Sequence, residues 1–399
     1  MQSNEMEGLE LPLKVQTQWE RAAGPLSPMD RLNAAFETIP VSFFPLLALG
    51  SVIEVKSDAS LEEALEILSS HHIYSAPVPD VQAAAESSWM EKYLGMVDFA
   101  GIIHWLLNQV NLERTKSELA TLEAGGVASL GGDKFVEMKA SEAFKTAKVS
   151  DIAGSFRWAP FISVQQTDSL LTVLLLLSKY RMKSLPVVES GKGAIFNFIT
   201  QGDVIHMLLQ CSGLSWFDKL GKSTLSKLGL PKVREGKLIQ VDENVHIIAA
   251  FEMMSKNGVG GVPVLASGTK KVVGNISASD VSFLLTDPEI FQHESPLTTG
   301  KFLAAVRKHL QDRKESSPLL RPILTCHQNE TLKGSIIKLD EAKVHRIYVV
   351  DDNQDLIGVI TLRDIISTFV EEPVGYFGTF FDGVVPASPR YPVPEVLTC

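Results

Sequence analysis

Three places in this 399-residue chain repeat one chemical pattern. Thr200/Asp203, Ser277/Asp280 and Thr361/Asp364 each set a hydroxyl three residues ahead of a carboxylate. Each pair stands where an apolar strand gives way to a helix, and two chemistries fit it. An aspartate facing a cleft accepts both hydroxyls of a ribose, while the hydroxyl and the helix start suit a phosphate. Alternatively the pair is a cap, the hydroxyl bonding the backbone three residues on and the helix dipole favouring the acid. Capping is the commoner use of the spacing, and spacing does not separate the two. Around the third pair, His345 and Arg346 precede an apolar strand and Arg363 adjoins Asp364. A guanidinium there suits bidentate phosphate recognition, with charged hydrogen bonds contributing roughly 1.5–3 kcal/mol each. The competing reading is a surface arginine paired with Asp351 or Asp352, contributing at most about 1 kcal/mol.

The elements that must position these residues recur four times. The i, i+3, i+4, i+7 spacing of an amphipathic helix falls on Leu61/Ala64/Leu65/Leu68, Leu170/Val173/Leu174/Leu177, Ile247/Ala250/Phe251/Met254 and Leu332/Ser335/Ile336/Leu339. Eight and six residues before each first member lies a strand-like pair: Ile53/Val55, Ile162/Val164, Ile239/Val241 and Leu324/Cys326. Nine residues after each last member lies Pro77, Pro186, Pro263 or Tyr348, each within an apolar run. A polar turn, a further strand and a short helix follow, through the junctions GMVDFAG, FITQGD, NISASD and VITLRD. The unit is β-α-β-β-α, longer than solenoid repeats. In the first copy the turn VQAAAESSWMEK is longer, and Gly101 stands at the aspartate position with Asp98 before it. That pocket therefore lacks a ribose carboxylate.

The expected organisation is a flexible polar tail over 1–26, then a first repeat over 27–109 that opens on the helical DRLNAAFETIP. A mobile linker over 110–150 holds the small-residue stretch LEAGGVASLGGDK. The second repeat spans 151–210, an ordered linker 211–237, the third repeat 238–286, a linker helix 287–321, and the fourth repeat 322–370. The unequal spacers predict pairing of the first repeat with the second and the third with the fourth, because a lone unit exposes too much apolar surface. The tail 371–399, with the aromatic GYFGTFFDGVVP, packs on the body or on a partner.

Composition narrows the function classes. The formal charge of −10 argues against a binder of phosphate backbones. Cys211, Cys326 and Cys399 are too few and too scattered for a disulfide framework or a zinc site. The acidic N-terminus has no apolar signal core, and Gln2 excludes N-myristoylation. The longest apolar run, Leu170 to Leu177, is far too short to span a bilayer. A soluble intracellular protein is expected, cytoplasmic and/or nuclear. Gly221-Lys222-Ser223 imitates the end of a P-loop, but Trp216 stands where the leading glycine belongs. Asp351, Asn353 and Asp355 echo a calcium loop, but Leu356 replaces its glycine. No HExxH, CxxC, GxSxG or kinase signature occurs. Nothing points to catalysis.

The repeated unit resembles the cystathionine-β-synthase-type (CBS) repeat, two of which make a Bateman module. Four copies, closing on VHRIYVVDD…GVITLRDII, resemble the γ regulatory subunits of the AMP-activated protein kinase family. FRWAPF (156–161), LLLLSKYRMKSLPVV (174–188), GGVPV (260–264) and GYFGTFFDG (375–383) are most similar to the plant γ subunit of the sucrose-nonfermenting-related kinase. The resemblance covers about residues 28 to 385. It implies a mixed α/β fold of four CBS repeats, two Bateman modules forming a disc. It also implies a noncatalytic subunit joined to a kinase catalytic α subunit and a scaffolding β subunit, in energy and carbohydrate signalling. No resident cofactor, nucleic acid or membrane is implied; the candidate ligands are AMP, ADP or ATP. By this match Asp203, Asp280 and Asp364 become ribose contacts beside Thr200, Ser277 and Thr361. His345 and Arg346 become phosphate contacts, with Lys183 and Arg363 as further basic members of the set. At the positions of His345-Arg346 the other copies carry Lys183-Ser184, Gly260-Gly261 and Tyr74-Ser75, so the family's basic set is depleted. The alternative is a free-standing CBS-domain small-molecule sensor or adaptor outside a kinase complex. A metabolic enzyme is more distant, since the repeats leave no room for a catalytic domain.

Overall fold

A computed structural model of the protein describes residues 2–22, 24–44, 52–84, 86–120, 131–153, 161–189, 194–232 and 238–381. The FRWAPF motif lies outside them except for Phe161.

Two helices precede the first repeat: α1 (Gln2–Arg21) and α2 (Pro28–Glu37). Helix α2 starts on Ser27, whose Oγ accepts from the Asp30 amide at 3.1 Å, with Pro28 in the first turn where its missing N–H costs nothing. The expectation of a flexible tail over 1–26 is corrected by α1. Leu11, Val15 and Trp19 recur every fourth residue on one face, and Leu11 and Val15 are buried in the core that α2 also enters. The Arg31 guanidinium lies 3.9 Å from the Trp19 ring centre and the Lys14 ammonium 3.6 Å from that of Phe43. The apolar stripe is narrow, and the polar residues around it conceal it from a composition argument.

The first repeat contains α3 (Leu61–Ser70), β1 (Ser75–Pro79), α4 (Trp89–Lys92), β2 (Tyr93–Asp98) and α5 (Phe99–Ala120), followed by α6 (Asp133–Ala140) and α7 (Glu142–Thr146). The second contains β3 (Val164–Gln165), α8 (Leu170–Ser178), β4 (Ser184–Val188), β5 (Ile195–Thr200) and α9 (Gln201–Gln210), then α10 (Ser215–Gly221). The third contains β6 (Val241–Asp242), α11 (Ile247–Asn257), β7 (Gly261–Leu265), β8 (Val272–Ser277) and α12 (Val281–Thr286), then α13 (Thr299–Asp312). The fourth contains β9 (Thr325–Cys326), α14 (Leu332–Ala342), β10 (Arg346–Val350), β11 (Leu356–Thr361) and α15 (Leu362–Ile366).

The middle strand of each repeat pairs antiparallel with the strand that follows it, and in repeats two to four it pairs parallel with the short first strand. In the first repeat the segment before α3 takes that parallel place: Val55 and Ser57 donate to the Pro77 and Pro79 carbonyls at 3.0 and 3.1 Å. Pro77, Pro186, Pro263 and Tyr348 all fall in the centre of the middle strand. Tyr348 donates its amide to the Leu324 carbonyl at 3.0 Å. Proline has no N–H, so the other three copies forgo this bond; the parallel pairing is short enough to tolerate the loss. Each hairpin also shifts register at the same place, between the fourth and fifth residues of the middle strand.

The hydrophobic cores pair alternate repeats. One unit joins residues 1–52, 162–238 and 324–399, and the other joins 53–161 and 239–323. The predicted pairing of consecutive repeats is therefore corrected: the second shares a core with the fourth, and the first with the third. In the first of these units α9 packs on α14 and α15, and α15 also packs on α8. In the other, α3 and α5 pack on α12, and α5 on α11. Spacer lengths could not reveal this, because the apolar faces at i, i+3 and i+4 are alike in all four repeats and any two could cover each other.

The predicted mobile linker over 110–150 is corrected on both sides of 121–130, since α5 continues to Ala120 before it. Residues 121–130 lie outside the described residues, but α6 and α7 follow, with Phe135 and Phe144 buried. Gly132 is required there by close approach rather than by flexibility, since a Cβ would fall 1.8 Å from the Phe291 carbonyl oxygen. The C-terminal tail packs on its own unit as far as it is described. Phe381 stacks on Tyr180 with ring centres 3.8 Å apart, and the Tyr376 hydroxyl lies 2.9 Å from both Ser169 Oγ and Thr172 Oγ1 at the start of α8.

Candidate functional site

The three hydroxyl–carboxylate pairs all cap helices, but they do so differently. At α9, Asp203 Oδ2 accepts from the Thr200 amide (2.8 Å) and hydroxyl (2.7 Å), and Thr200 Oγ1 accepts in return from the Asp203 amide (3.2 Å). At α15 the same three bonds link Thr361 and Asp364, at 2.9, 2.6 and 3.3 Å. In both caps one carboxylate oxygen carries the two bonds, and the second oxygen, Oδ1, stands outside the cap on a half-buried side chain. At Ser277/Asp280 both oxygens are engaged: the amide reaches Oδ2 at 2.8 Å and the hydroxyl reaches Oδ1 at 2.9 Å. Asp280 is only 3% exposed. The sequence pattern is identical in all three places, and burial distinguishes them.

The cations converge on the unit formed by repeats two and four. Lys183 and His345 occupy equivalent positions just before β4 and β10, and their carbonyls accept from Gln201 and Leu362, the first residues of α9 and α15, at 3.2 Å each. Desolvation first, then the charges of Arg346 and Lys183, push the His345 imidazole down to about 4. Its surface is nevertheless open to solvent. Lys183 and Arg346, from different repeats, thus act on one imidazole. Arg346 lies opposite Thr361 in the β10–β11 ladder, which fixes it beside the α15 cap. The competing surface-pair reading of Arg346 has no geometric support. Asp351 begins beyond the other end of β10, about 16 Å away at 3.3 Å per residue, and its Oδ1 accepts from the Asn353 and Asp355 amides at 2.9 Å each.

One residue was not anticipated. Lys232, in the segment that follows α10, donates to Ser367 Oγ at 2.9 Å. Burial lowers its pKa most; the Asp364 charge opposes that shift and the Arg363 charge adds to it. The segment is tied to repeat four, with the Leu225 and Ser226 amides donating to the Glu330 and Gln328 carbonyls at 2.9 and 3.0 Å. Pro231 then lies over β11 where Gly358 has no side chain; a Cβ there would fall 2.1 Å from the proline Cγ. Lys232 lies outside the repeat, so repeat alignment does not mark it.

Eight of the ten expected site residues are therefore in one unit: Lys183, Thr200, Asp203, His345, Arg346, Thr361, Arg363 and Asp364. Ser277 and Asp280 are in the other, where the positions equivalent to Lys183 and His345 hold Tyr74 and Gly260. In the first repeat Asp98 Oδ1 accepts from the Gly101 amide at 2.8 Å, a cap without the distal carboxylate. Gly101 makes room for Ile152, whose Cγ2 would lie 3.0 Å from an added Cβ. The sequence look-alikes resolve as structure: Trp216 is buried, and Lys222 pairs with Asp218 at 3.0 Å. Among the described residues no group of three or more His, Cys, Asp or Glu could hold a metal ion. Cys211 and Cys326 are buried free thiols, and burial raises the pKa of both. No helix of the described residues is long and apolar enough to cross a membrane.

The CBS-domain family model matches residues 149–210, 234–287 and 319–371, the second, third and fourth repeats. Over 397 residues the chain is 46% identical to SNF1-related protein kinase regulatory subunit gamma-1 of Arabidopsis thaliana, covering 96% of this chain and 94% of that protein. The chain belongs to the γ regulatory subunits of the SNF1-related protein kinases. A second Arabidopsis member of this γ family, regulatory subunit gamma-1-like, is 36% identical over 88% of this chain and 90% of its own length. The 5'-AMP-activated protein kinase subunit gamma-3 of Sus scrofa is 28% identical over 56% of this chain and 40% of that protein. A Methanocaldococcus jannaschii protein described as an archaeal γ-subunit homologue shares the fold, with TM-score 0.55, 15% identity and coverage of 82% of this chain and 98% of that one. The relatives are named as regulatory subunits, in agreement with a noncatalytic role for the γ family.

Proposed function

We propose that this γ-family chain is a noncatalytic regulatory subunit of a heterotrimeric Ser/Thr kinase, bound to a catalytic α subunit and a scaffolding β subunit. In the same proposal an adenine nucleotide binds the unit of repeats two and four. The observation that carries it is the convergence of Lys183 and Arg346 on His345 beside the Thr361/Asp364 cap. Two cations gathered beside a helix cap favour an anion. Lys183 and Arg346 would hold phosphate, Arg346 through its planar fork. The Oδ1 atoms of Asp203 and Asp364 would accept from ribose hydroxyls. Nucleotide acts on the kinase by population shift, and reciprocity then requires that the α and β subunits alter nucleotide affinity.

Calorimetric titration of the purified chain with AMP, ADP and ATP tests the ligand, and heat from none of them at millimolar concentration contradicts it. Native purification tests the assembly. A chain that emerges without stable α and β partners is instead a free-standing sensor or adaptor.

A further inference from the structure

The sequence holds three serines with an arginine three residues before them: Ser117 after Arg114, Ser184 after Arg181 and Ser316 after Arg313. A kinase selects its substrate by the charges around an accessible acceptor hydroxyl, and the fold separates these three. Ser117 lies within α5, and Ser184 lies in β4, paired with Thr200 of β5. Ser316 is exposed, in the segment that joins α13 to the fourth repeat. Lys314 ends the helical turn there with a left-handed φ of 55°, and Ser317 is extended, at φ −140° and ψ 144°. Arg313 stays on the surface, its Nε 2.7 Å from Glu315 Oε1 and its Nη1 3.6 Å from Asp287 Oδ1. Exposed pairs of this kind are weak and release the guanidinium readily. Ser317 is a poorer acceptor. It is half-buried, its hydroxyl accepts from the Leu319 amide at 3.2 Å, and a lysine, Lys314, stands three residues before it.

We propose that Ser316 is a phosphorylation site for an arginine-directed Ser/Thr kinase, with Arg313 as the side chain that the kinase recognises. The Ser316 oxygen forms a bond to the γ-phosphorus of ATP, the bond from that phosphorus to the leaving ADP breaks, and the hydroxyl proton passes to the kinase's catalytic carboxylate. The phosphate adds a charge of about −1.5 to −2 near neutral pH. It then competes with Glu315 and Asp287 for Arg313. The site is independent of the nucleotide reading above.

The test is phosphate transfer to the full chain from labelled Mg-ATP, with the catalytic subunit of cyclic-AMP-dependent protein kinase as the arginine-directed probe and peptide mass spectrometry to place the label. The wild type should carry the label on Ser316. Ser316→Ala and Arg313→Gln should each slow the initial rate by about 10-fold or more, the size of one charge-assisted contact in the case of Arg313. Arg313→Lys, which keeps the ion pairs without the planar fork, should fall between. Ser317→Ala should leave the rate within about twofold, the scale of an exposed substitution. Glu315→Gln, which frees Arg313, should raise it by up to about fivefold, the worth of an exposed pair. A rate unchanged in Ser316→Ala, a label placed on Ser117, Ser184 or Ser317 instead, or a wild type that takes up no phosphate overturns the assignment of Ser316. A rate unchanged in Arg313→Gln overturns the role of Arg313.

Discussion

The two units are built from the same parts and carry different chemistry at the same positions. Before the middle strands, the unit of repeats two and four has Lys183 and His345, followed by Ser184 and Arg346. The unit of repeats one and three has Tyr74 and Gly260, followed by Ser75 and Gly261. Its distal aspartates differ too, with Gly101 in one repeat and a buried, doubly bonded Asp280 in the other. One unit therefore gathers the cations that the proposed anion site uses, and the other holds neither a lysine nor a histidine at those positions. On the proposed function, a cap serves binding where burial leaves an oxygen outside the cap and cations gather beside it.

This difference can be broken most severely by removing the cations. The double variant Lys183→Ala/Arg346→Ala should lose roughly 3–6 kcal/mol of nucleotide binding, a drop of 100-fold or more. Its melting temperature should stay near that of the wild type, and calorimetry with a parallel melt checks both. In the other unit the large effect should be structural: Phe135→Ala should destabilise by about 3–5 kcal/mol in chemical denaturation, because that ring is buried in the core of repeats one and three. A shift below about 0.5 kcal/mol, the size of an ordinary surface substitution, would restore the mobile-linker reading.

The caps sharpen the contrast. Asp280→Ala should cost about 1–3 kcal/mol of stability, since it strands the Ser277 donors beside a buried site. Asp203→Ala, half-buried and near water, should cost about 1 kcal/mol or less. Equal losses would remove the distinction between the two.

Titration tests the same cluster through stability. His345 is depressed to about 4 from 6.5, so between those values the unfolded chain binds a proton that the folded chain does not. Its contribution to stability is fully present above pH 6.5 and declines as pH falls through the window toward 4. His345→Gln should flatten the slope of melting temperature against pH across that range. An unchanged slope would remove the His345 cluster from the account.

Much of the fold could be read from local pattern. The helix spacing, the strand pairs before it and the central Pro or Tyr after it each depend on residues close in sequence, and all four repeats follow them. The tertiary choices could not be read in this way. Which repeats share a core depends on faces that are chemically interchangeable, so alternate pairing left no mark on spacer length. The α1 stripe of Leu11, Val15 and Trp19 is legible in retrospect, but the polar composition of 1–26 outweighed it. At the site, the Thr361/Asp364 spacing and the His345-Arg346 pair were visible, whereas the engagement of both Asp280 oxygens needed three-dimensional burial. Lys232 was beyond reach, because the contact joins a spacer to a repeat more than a hundred residues later.

Hydrogen exchange measured by mass spectrometry, with and without saturating ATP, tests the central contrast most directly. Protection should appear in peptides covering Lys183, His345-Arg346 and Thr361 to Ser367, with those covering Tyr74 and Gly260 to Asp280 unchanged. Protection confined to the Tyr74 and Gly260 to Asp280 peptides would contradict the assignment of the anion site to the unit of repeats two and four.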